Sequence, residues 1–132
     1  MSKGGYKDLI VYQKAYRSAM AIYKESKSFP KEEMYSLTDQ IRRSSSSVCT
    51  NLGEGYRKRI YPKHFISKMS DSDGECTETM IHLDFALDCG YISQEFYSTV
   101  TDEYSQIGRI LKSMMENPEK LADKRLPTAT AD

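Results

Sequence analysis

The chain has 132 residues, enough for one domain with a hydrophobic core, and its 19 lysines and arginines are balanced by 19 acids. This balance argues against a protein that is cationic over its whole surface. No apolar run is long enough to cross a membrane, and residues 1–8 lack the apolar core of a signal peptide. Three cysteines without a CxxC pair argue against a disulfide framework or a zinc site. We therefore expect a cytoplasmic protein without cofactors.

The first periodic segment runs from about Asp8 to Ser28. Its apolar side chains recur at steps of three and four residues, which is typical of one face of a helix. These positions are Leu9, Tyr12, Tyr16, Ala19 and Tyr23. Phe29-Pro30 ends the segment, because the residue before a proline is disfavoured in the helical conformation.

The second segment runs from about Lys31 to Arg57, and its seam combines apolar and small residues. The seam consists of Leu37, Ile41, Ser44 or Ser45, Val48 and Leu52. In the serine run 44–47, small side chains would let a neighbouring helix approach, and the hydroxyls could bond to backbone carbonyls. Gly53 and Gly55 indicate either a close backbone approach or a distorted final turn, because glycine is unfavourable inside a helix.

Two further helices follow, each with recognisable ends. The third begins near Pro62, a residue that suits a first turn, and ends before Gly90, which suits a left-handed C-cap. The fourth begins after Ser93 as N-cap and stops at Asn117-Pro118. Their apolar faces are Phe65, Met69, Cys76, Met80, Leu83 and Leu87, then Phe96, Val100, Tyr104, Ile107, Leu111 and Met114.

Four helices joined by short connections predict an all-α, antiparallel up-down-up-down four-helix bundle over residues 1–118. Residues 119–132 lack a periodic apolar face, so we expect a flexible C-terminal tail.

No residue pattern predicts catalysis or a metal centre. A nucleophile from the serine run would need a base, and the only histidines, His64 and His82, belong to no recognisable triad. A di-iron bundle needs Glu-x-x-His, but Thr79 occupies the glutamate position before His82. We therefore expect no enzymatic activity and no metal ligand.

The second helix contains a cluster of polar residues. Asn51 and Glu54 lie one turn apart and share a face, Gly55 follows, and Gln40 lies further back on the same helix. If buried, the amide and carboxylate would need hydrogen-bond partners. Two interpretations remain: a satisfied structural network that fixes helix register, or a small polar pocket.

Charge is strongly segregated along the chain. Between residues 40 and 68 only Glu54 opposes seven cations: Arg42, Arg43, Arg57, Lys58, Arg59, Lys63 and Lys68. Residues 69–108 contain no lysine or arginine and nine acids: Asp71, Asp73, Glu75, Glu78, Asp84, Asp88, Glu95, Asp102 and Glu103.

Three interpretations of this segregation compete. The charges form a solvated surface with helix-dipole compensation, or a basic face pairs head-to-tail with an acidic face of another subunit. The third interpretation is that the cations bind nucleic-acid phosphates, with Tyr56 and Tyr61 available for base stacking.

The second helix also resembles a known family. Residues 29–44 contain Phe-Pro-x-x-Glu-x-Tyr-x-Leu-x-x-Gln-Ile-Arg-Arg-Ser, and residues 47–55 contain Ser-Val-x-x-Asn-Leu-x-Glu-Gly. Both resemble the signature of four-helix bundle proteins encoded in intervening sequences of bacterial 23S rRNA genes. Residues 9–15, 75–79 and 83–92 resemble further parts of the same family. The whole likeness covers about residues 7–115.

The resemblance implies an antiparallel four-helix bundle, a homopentameric ring and no enzymatic activity. It also implies kinship with the accessory variability determinant proteins of diversity-generating retroelements, which are basic pentamers that bind nucleic acid and partner a reverse transcriptase. We therefore expect a self-associating protein that contacts RNA or DNA through the seven cations. A protein-binding scaffold ring without nucleic-acid contact is the alternative.

Overall fold

The computed structural model describes residues 4–122, and four long helices account for most of them. These helices are α1 (Ile10–Glu25), α2 (Leu37–Arg57), α3 (Pro62–Asp88) and α4 (Gln94–Glu116), and a single turn α5 (Glu119–Ala122) follows. Short 3-10 turns occur at Tyr6–Asp8, Ser26–Ser28 and Lys31–Glu33. The described residues contain no strand, which confirms the all-α prediction.

The long helices form the predicted antiparallel bundle. Each packs against the next in the chain, and α4 returns to contact α1. Consequently α1 and α3 occupy diagonally opposite corners. The core contains predicted seam residues from α2, α3 and α4, including Ile41, Leu52, Phe65, Tyr104 and Leu111.

Small polar side chains build the interface between α2 and α3. Ser44 and Ser45 are buried, and their hydroxyls donate to the carbonyl oxygens three residues earlier, each at 3.3 Å. Across the interface, Thr79 Oγ1 lies 2.8 Å from Ser44 Oγ, and Ser72 donates to the Val48 carbonyl oxygen at 2.9 Å. These contacts confirm the packing role predicted for the serine run, because only short side chains allow hydroxyls to reach the facing helix.

Gly55 marks a second close approach between α2 and α3. A Cβ atom at this position would overlap the Met69 methyl group and lie 2.9 Å from Lys68 Cβ. At Gly53 a Cβ would lie 3.7 Å from the Tyr6 ring, which is an ordinary contact. The helix continues through both glycines to Arg57. Close backbone approach therefore explains Gly55, and the final turn of α2 is not broken.

The predicted ends of α3 and α4 are confirmed. Pro62 opens α3, and Gly90 after its C-terminus has a φ of 80°, a left-handed conformation that favours glycine. The Tyr91 N–H then donates to the Ala86 carbonyl oxygen at 2.8 Å. At the start of α4, Ser93 Oγ accepts a hydrogen bond from the Phe96 N–H at 3.0 Å.

The predicted start of α2 near Lys31 is wrong. Residues 31–33 form a 3-10 turn, and the α-helix begins only at Leu37. The Glu33 carboxylate stabilises this break, because it accepts hydrogen bonds from Ser36 Oγ at 2.6 Å and from the Tyr91 hydroxyl at 2.8 Å. These bonds lower the pKa of Glu33 and raise that of Tyr91 to about 12.

The apolar face predicted for α1 is confirmed only in part, since Leu9 is buried and Tyr12 and Ala19 pack against the core. The buried residues of α1 are Val11, Ala15, Ser18 and Ile22, whereas Tyr16 and Tyr23 are 52% and 43% exposed. The true core face is rotated by one residue, about 100° around the helix. Small and branched side chains fill the narrow interior, and the phenol rings stay where water can reach their hydroxyls.

The predicted C-terminal tail, residues 119–132, begins with the short helix α5. Residues 123–132, like residues 1–3, lie outside the described part of the chain. None of the described helices is both long and apolar enough to span a membrane.

Candidate nucleic-acid interface

Four of the predicted cations meet at the connection between α2 and α3. We call Arg57, Lys58, Arg59 and Lys63 the turn cluster. The connection is a tight turn, in which the Lys58 N–H donates to the Gly55 carbonyl oxygen and the Tyr61 N–H donates to the Lys58 carbonyl oxygen. Arg57, Lys58 and Lys63 are exposed. Within residues 4–122, no ion pair involves any member of the cluster.

Aromatic side chains lie among these cations. The Arg59 guanidinium lies 4.1 Å from the centre of the Tyr56 ring and donates to the Tyr56 carbonyl oxygen at 2.9 Å. Tyr61 is 57% exposed and meets His64 edge-on. The turn therefore offers one arginine already held in place, three cations outside any ion pair of the described chain and one exposed aromatic ring.

The other three predicted cations lie elsewhere. Arg42 donates to Ser26 Oγ at 2.8 Å, and its guanidinium lies 4.4 Å from the centre of the Tyr23 ring. Arg43 pairs with Asp39 at 2.9 Å. Arg42 precedes Arg57 by fifteen residues, which is about 22 Å along a helix. The seven cations therefore do not form one surface.

Lys68 joins the predicted polar cluster. Its Nζ lies 2.7 Å from Glu54 Oε1 and 3.4 Å from Asn51 Oδ1, and the Asn51 amide donates to the Ser47 carbonyl oxygen. The bond from Lys68 lowers the pKa of Glu54. The Glu54 side chain is 60% exposed, so its carboxylate does not meet the condition of burial under which it would need a protein partner. Gln40 is exposed and precedes Asn51 by eleven residues, which is about 16 Å along α2.

This exposure leads to a prediction for Glu54→Ala. We expect its midpoint of urea unfolding to stay close to that of the wild type, because exposed ion pairs contribute little and water can replace the carboxylate. A fall in this midpoint as large as the one expected below for Gly55→Ala would contradict the prediction. It would show that the ion pair between Lys68 and Glu54 stabilises the packing of α2 against α3.

An apolar groove between α1 and α2 is a feature that sequence reasoning missed. It has a volume of about 310 Å³. Its lining consists of Tyr12, Tyr16, Ala19, Met20 and Tyr23 from α1 and Arg42, Ser45, Ser46, Cys49 and Thr50 from α2. We call it the α1/α2 groove. The signal is present in the sequence as the periodic tyrosines of α1, Tyr12, Tyr16 and Tyr23, all of which line the groove.

A second exposed apolar feature lies on α3. Ile81 and Phe85, one turn apart, are 47% and 60% exposed. We call this pair the α3 ridge. Asp84 and Asp88 are exposed beside it, and Asp84 accepts a hydrogen bond from the Tyr97 hydroxyl. By contrast, Glu103 on α4 pairs with Lys14 and Arg17 of α1.

The remaining reactive side chains show no catalytic arrangement in the described chain. No group of three or more histidine, cysteine or acidic residues there could hold a metal ion. His82 Nε2 lies 3.4 Å from Glu78 Oε2 on the surface of α3. Burial raises the pKa of Cys49 to about 11 and that of Cys76 to about 12, so both remain protonated thiols at neutral pH.

The described chain is thus a small antiparallel four-helix bundle with a cationic turn between its second and third helices. The model of the 23S rRNA-intervening sequence protein family matches residues 7–113, and the chain belongs to this family. The family predicted from the α2 residues is therefore confirmed.

A solved structure supports the fold. It is a protein of unknown function from the S23 ribosomal protein family of Bacteroides thetaiotaomicron, and it is 24% identical to this chain. The match covers 81% of this chain and 99% of that chain, with a TM-score of 0.73. No curated protein matches the chain.

Proposed function

We propose that the protein is a non-enzymatic, homopentameric adaptor that binds RNA or DNA through the turn cluster. The observation that carries this proposal is the concentration of four cations within residues 57–63, none of them in an ion pair with another described residue. Cations that are not neutralised by their own protein can neutralise phosphates and release counterions.

The surroundings of the turn cluster favour an anionic ligand. The cluster lies between the C-terminus of α2 and the N-terminus of α3, whose opposite partial charges offset each other, so the attraction for an anion comes from the side-chain charges. Arg59 is already ordered against Tyr56, which reduces the entropy lost when it binds. The exposed Tyr61 ring offers a stacking surface for an unpaired base. Such contacts do not distinguish sequences, so we expect sequence-tolerant binding.

A homopentamer would present five copies of this weak site. Contacts that are individually weak gain affinity when they are linked, because the second binding event becomes intramolecular. The homopentamer is supported by the family resemblance and by the segregation of cations and acids along the chain, which suits a head-to-tail contact.

One observation favours the alternative of a protein-binding scaffold. Ile60 lies within the same turn and is 55% exposed, next to the exposed Tyr61. Exposed apolar side chains beside cations are also common at protein interfaces. The salt dependence of binding separates the two functions, because phosphate contacts weaken steeply with salt and apolar contacts do not.

We predict that the variant Arg57→Gln/Lys58→Gln/Lys63→Gln loses most of its affinity for duplex DNA and structured RNA. Each phosphate contact removed should reduce the slope of log K against log salt by about 0.9 on duplex DNA. Fluorescence anisotropy with labelled duplexes, over a range of salt concentrations, measures both quantities.

The matched control removes one arginine and two lysines elsewhere, as Lys31→Gln/Arg109→Gln/Lys112→Gln, all exposed positions. We expect it to bind nearly as the wild type does. If both triple variants lose the same affinity, binding depends on total charge and the turn cluster is not the site. If the wild type binds neither nucleic acid at low salt, the scaffold function replaces this proposal.

A further inference from the structure

The bundle exposes two apolar features on different sides. The α1/α2 groove lies between α1 and α2, whereas the α3 ridge lies on the helix diagonally opposite α1. The ridge is convex and has two large side chains, whereas the groove is concave and mostly apolar. A patch that fits a pocket elsewhere on the same molecule makes a heterologous contact, which closes into a ring when the rotation permits.

The charges around the two features are complementary. Arg42 lines the groove, Lys27 Nζ lies 5.3 Å from the centre of the Tyr23 ring, and Lys24 is exposed on the same helix. The ridge instead carries Asp84 and Asp88. Such pairing favours the ridge in the groove over groove-to-groove or ridge-to-ridge contacts, which would place like charges together.

The ridge lies level with one end of the groove. Ser44 of α2 lies opposite Thr79 of α3, at 2.8 Å between their hydroxyl oxygens. Because the helices are antiparallel and rise equally per residue, Arg42 is level with Ile81. Arg42 in turn contacts Tyr23 of α1. By the same rise Phe85 is level with Thr38, about 6 Å beyond the Arg42 end of the groove, so neighbouring bundles must tilt or shift along their axes for the ridge to enter it. The contact closes into a ring if its rotation permits.

We propose that the α3 ridge of one copy docks into the α1/α2 groove of the next copy, and that this contact builds the ring. The inference rests on the proposed homo-oligomer and adds its interface. Phe85 enters the groove near Tyr23 and Met20, with Asp84 and Asp88 facing the cations at its edge. The turn cluster lies at the other end of α2. This docking therefore leaves the turn cluster of every subunit exposed on one rim of the ring.

Two single substitutions test the docking. Phe85→Glu disables the ridge and leaves the groove intact, whereas Met20→Glu disables the groove and leaves the ridge intact. We expect each variant alone to be a monomer of 15.1 kDa by light scattering. Mixed one to one, the intact groove of the first should accept the intact ridge of the second, giving a heterodimer of twice that mass and nothing larger.

The matched control is Ile10→Glu, which places the same charge at an exposed apolar position outside the groove lining, the ridge and the turn cluster. It should assemble as the wild type does. Circular dichroism and urea unfolding of all three variants show whether they remain folded. A second ridge variant, Asp84→Lys/Asp88→Lys, should also weaken assembly while leaving the apolar side chains in place.

The outcomes separate the two proposals. If the wild type is monomeric at every concentration, the homo-oligomer and its interface are both wrong. If the wild type assembles and Phe85→Glu assembles equally well, or if the mixed variants stay monomeric, only the ridge-to-groove contact is wrong. If Met20→Glu assembles normally but loses nucleic-acid binding, the groove holds nucleic acid instead of a second copy, and the inference is overturned.

Discussion

Gly55→Ala should destabilise the bundle. The added methyl group would overlap the Met69 side chain, which is completely buried, and would press on Lys68 Cβ at 2.9 Å. Overpacking of this kind costs about 1–3 kcal/mol and outweighs the gain of about 0.5–1 kcal/mol from replacing a helical glycine, so we expect a net loss of about 1–2 kcal/mol. Urea unfolding at one fixed protein concentration measures it, because oligomer stability varies with concentration.

Gly74→Ala is the matched control. Gly74 lies in the middle of α3 and is exposed, and a Cβ there meets nothing within 4 Å. We expect a gain of about 0.5–1 kcal/mol from the reduced freedom of the unfolded chain. If both alanine variants shift stability in the same direction, the contact between α2 and α3 at Gly55 is looser than its geometry indicates.

Tyr104→Phe should stabilise the protein. Tyr104 is completely buried, and its hydroxyl is the one buried side-chain polar atom without a hydrogen-bond partner among the described residues. An unsatisfied buried hydroxyl costs about 1–3 kcal/mol. Removing it leaves a small void, which offsets part of the gain. We therefore expect the free energy of unfolding to rise by about 1 kcal/mol at neutral pH.

The advantage of Tyr104→Phe should grow at alkaline pH. Burial raises the pKa of Tyr104 far above its ordinary value of about 10. Above that pH the unfolded chain releases the phenol proton and the folded chain keeps it, so the wild type loses about 1.4 kcal/mol of stability per pH unit from this residue. The phenylalanine variant lacks this loss. Unfolding midpoints at pH 8, 10 and 11 test the prediction, and a constant difference between variant and wild type would contradict it.

The helix ends and most of the core were predictable because their signals are local. Pro62, Gly90 and Ser93 define helix ends through backbone geometry that depends on one or two residues. The seams of α2 and α4 were predictable because each of these helices has one apolar face. Gly53 and Gly55 indicated either a close approach or a distorted turn, and only the structure shows that Gly55 marks a close approach and which α3 residues it meets.

The α1 face could not be predicted from periodicity alone. The helix carries two apolar stripes one residue apart, and the bulkier one contains tyrosines. Choosing between them requires the space left by α2 and α4, which is a property of the tertiary structure. The start of α2 depends on Glu33 and Tyr91, residues 58 positions apart in the sequence. The α1/α2 groove is formed by two helices, so it could not be predicted from the sequence of either helix alone.

The candidate site was predictable only as a charge pattern. Sequence spacing grouped Arg42 and Arg43 with the turn cluster, but a continuous helix separates them from Arg57 by about 22 Å. Contacts within the chain also separate the cations into paired and unpaired groups. Arg43 and Lys68 form ion pairs with acids of the same chain, and the turn cluster forms none with the described residues. Such pairing depends on rotamers and facing helices, which residue order does not specify.

The central claim is that an assembled bundle binds nucleic acid through repeated turn clusters. Sedimentation of the wild type with a labelled duplex at low salt tests it most directly, because protein mass and bound nucleic acid are measured in one species. We predict a complex that contains five protein chains and dissociates from the duplex, without losing its subunits, as salt is raised. A monomer that leaves the duplex free at low salt would contradict the claim.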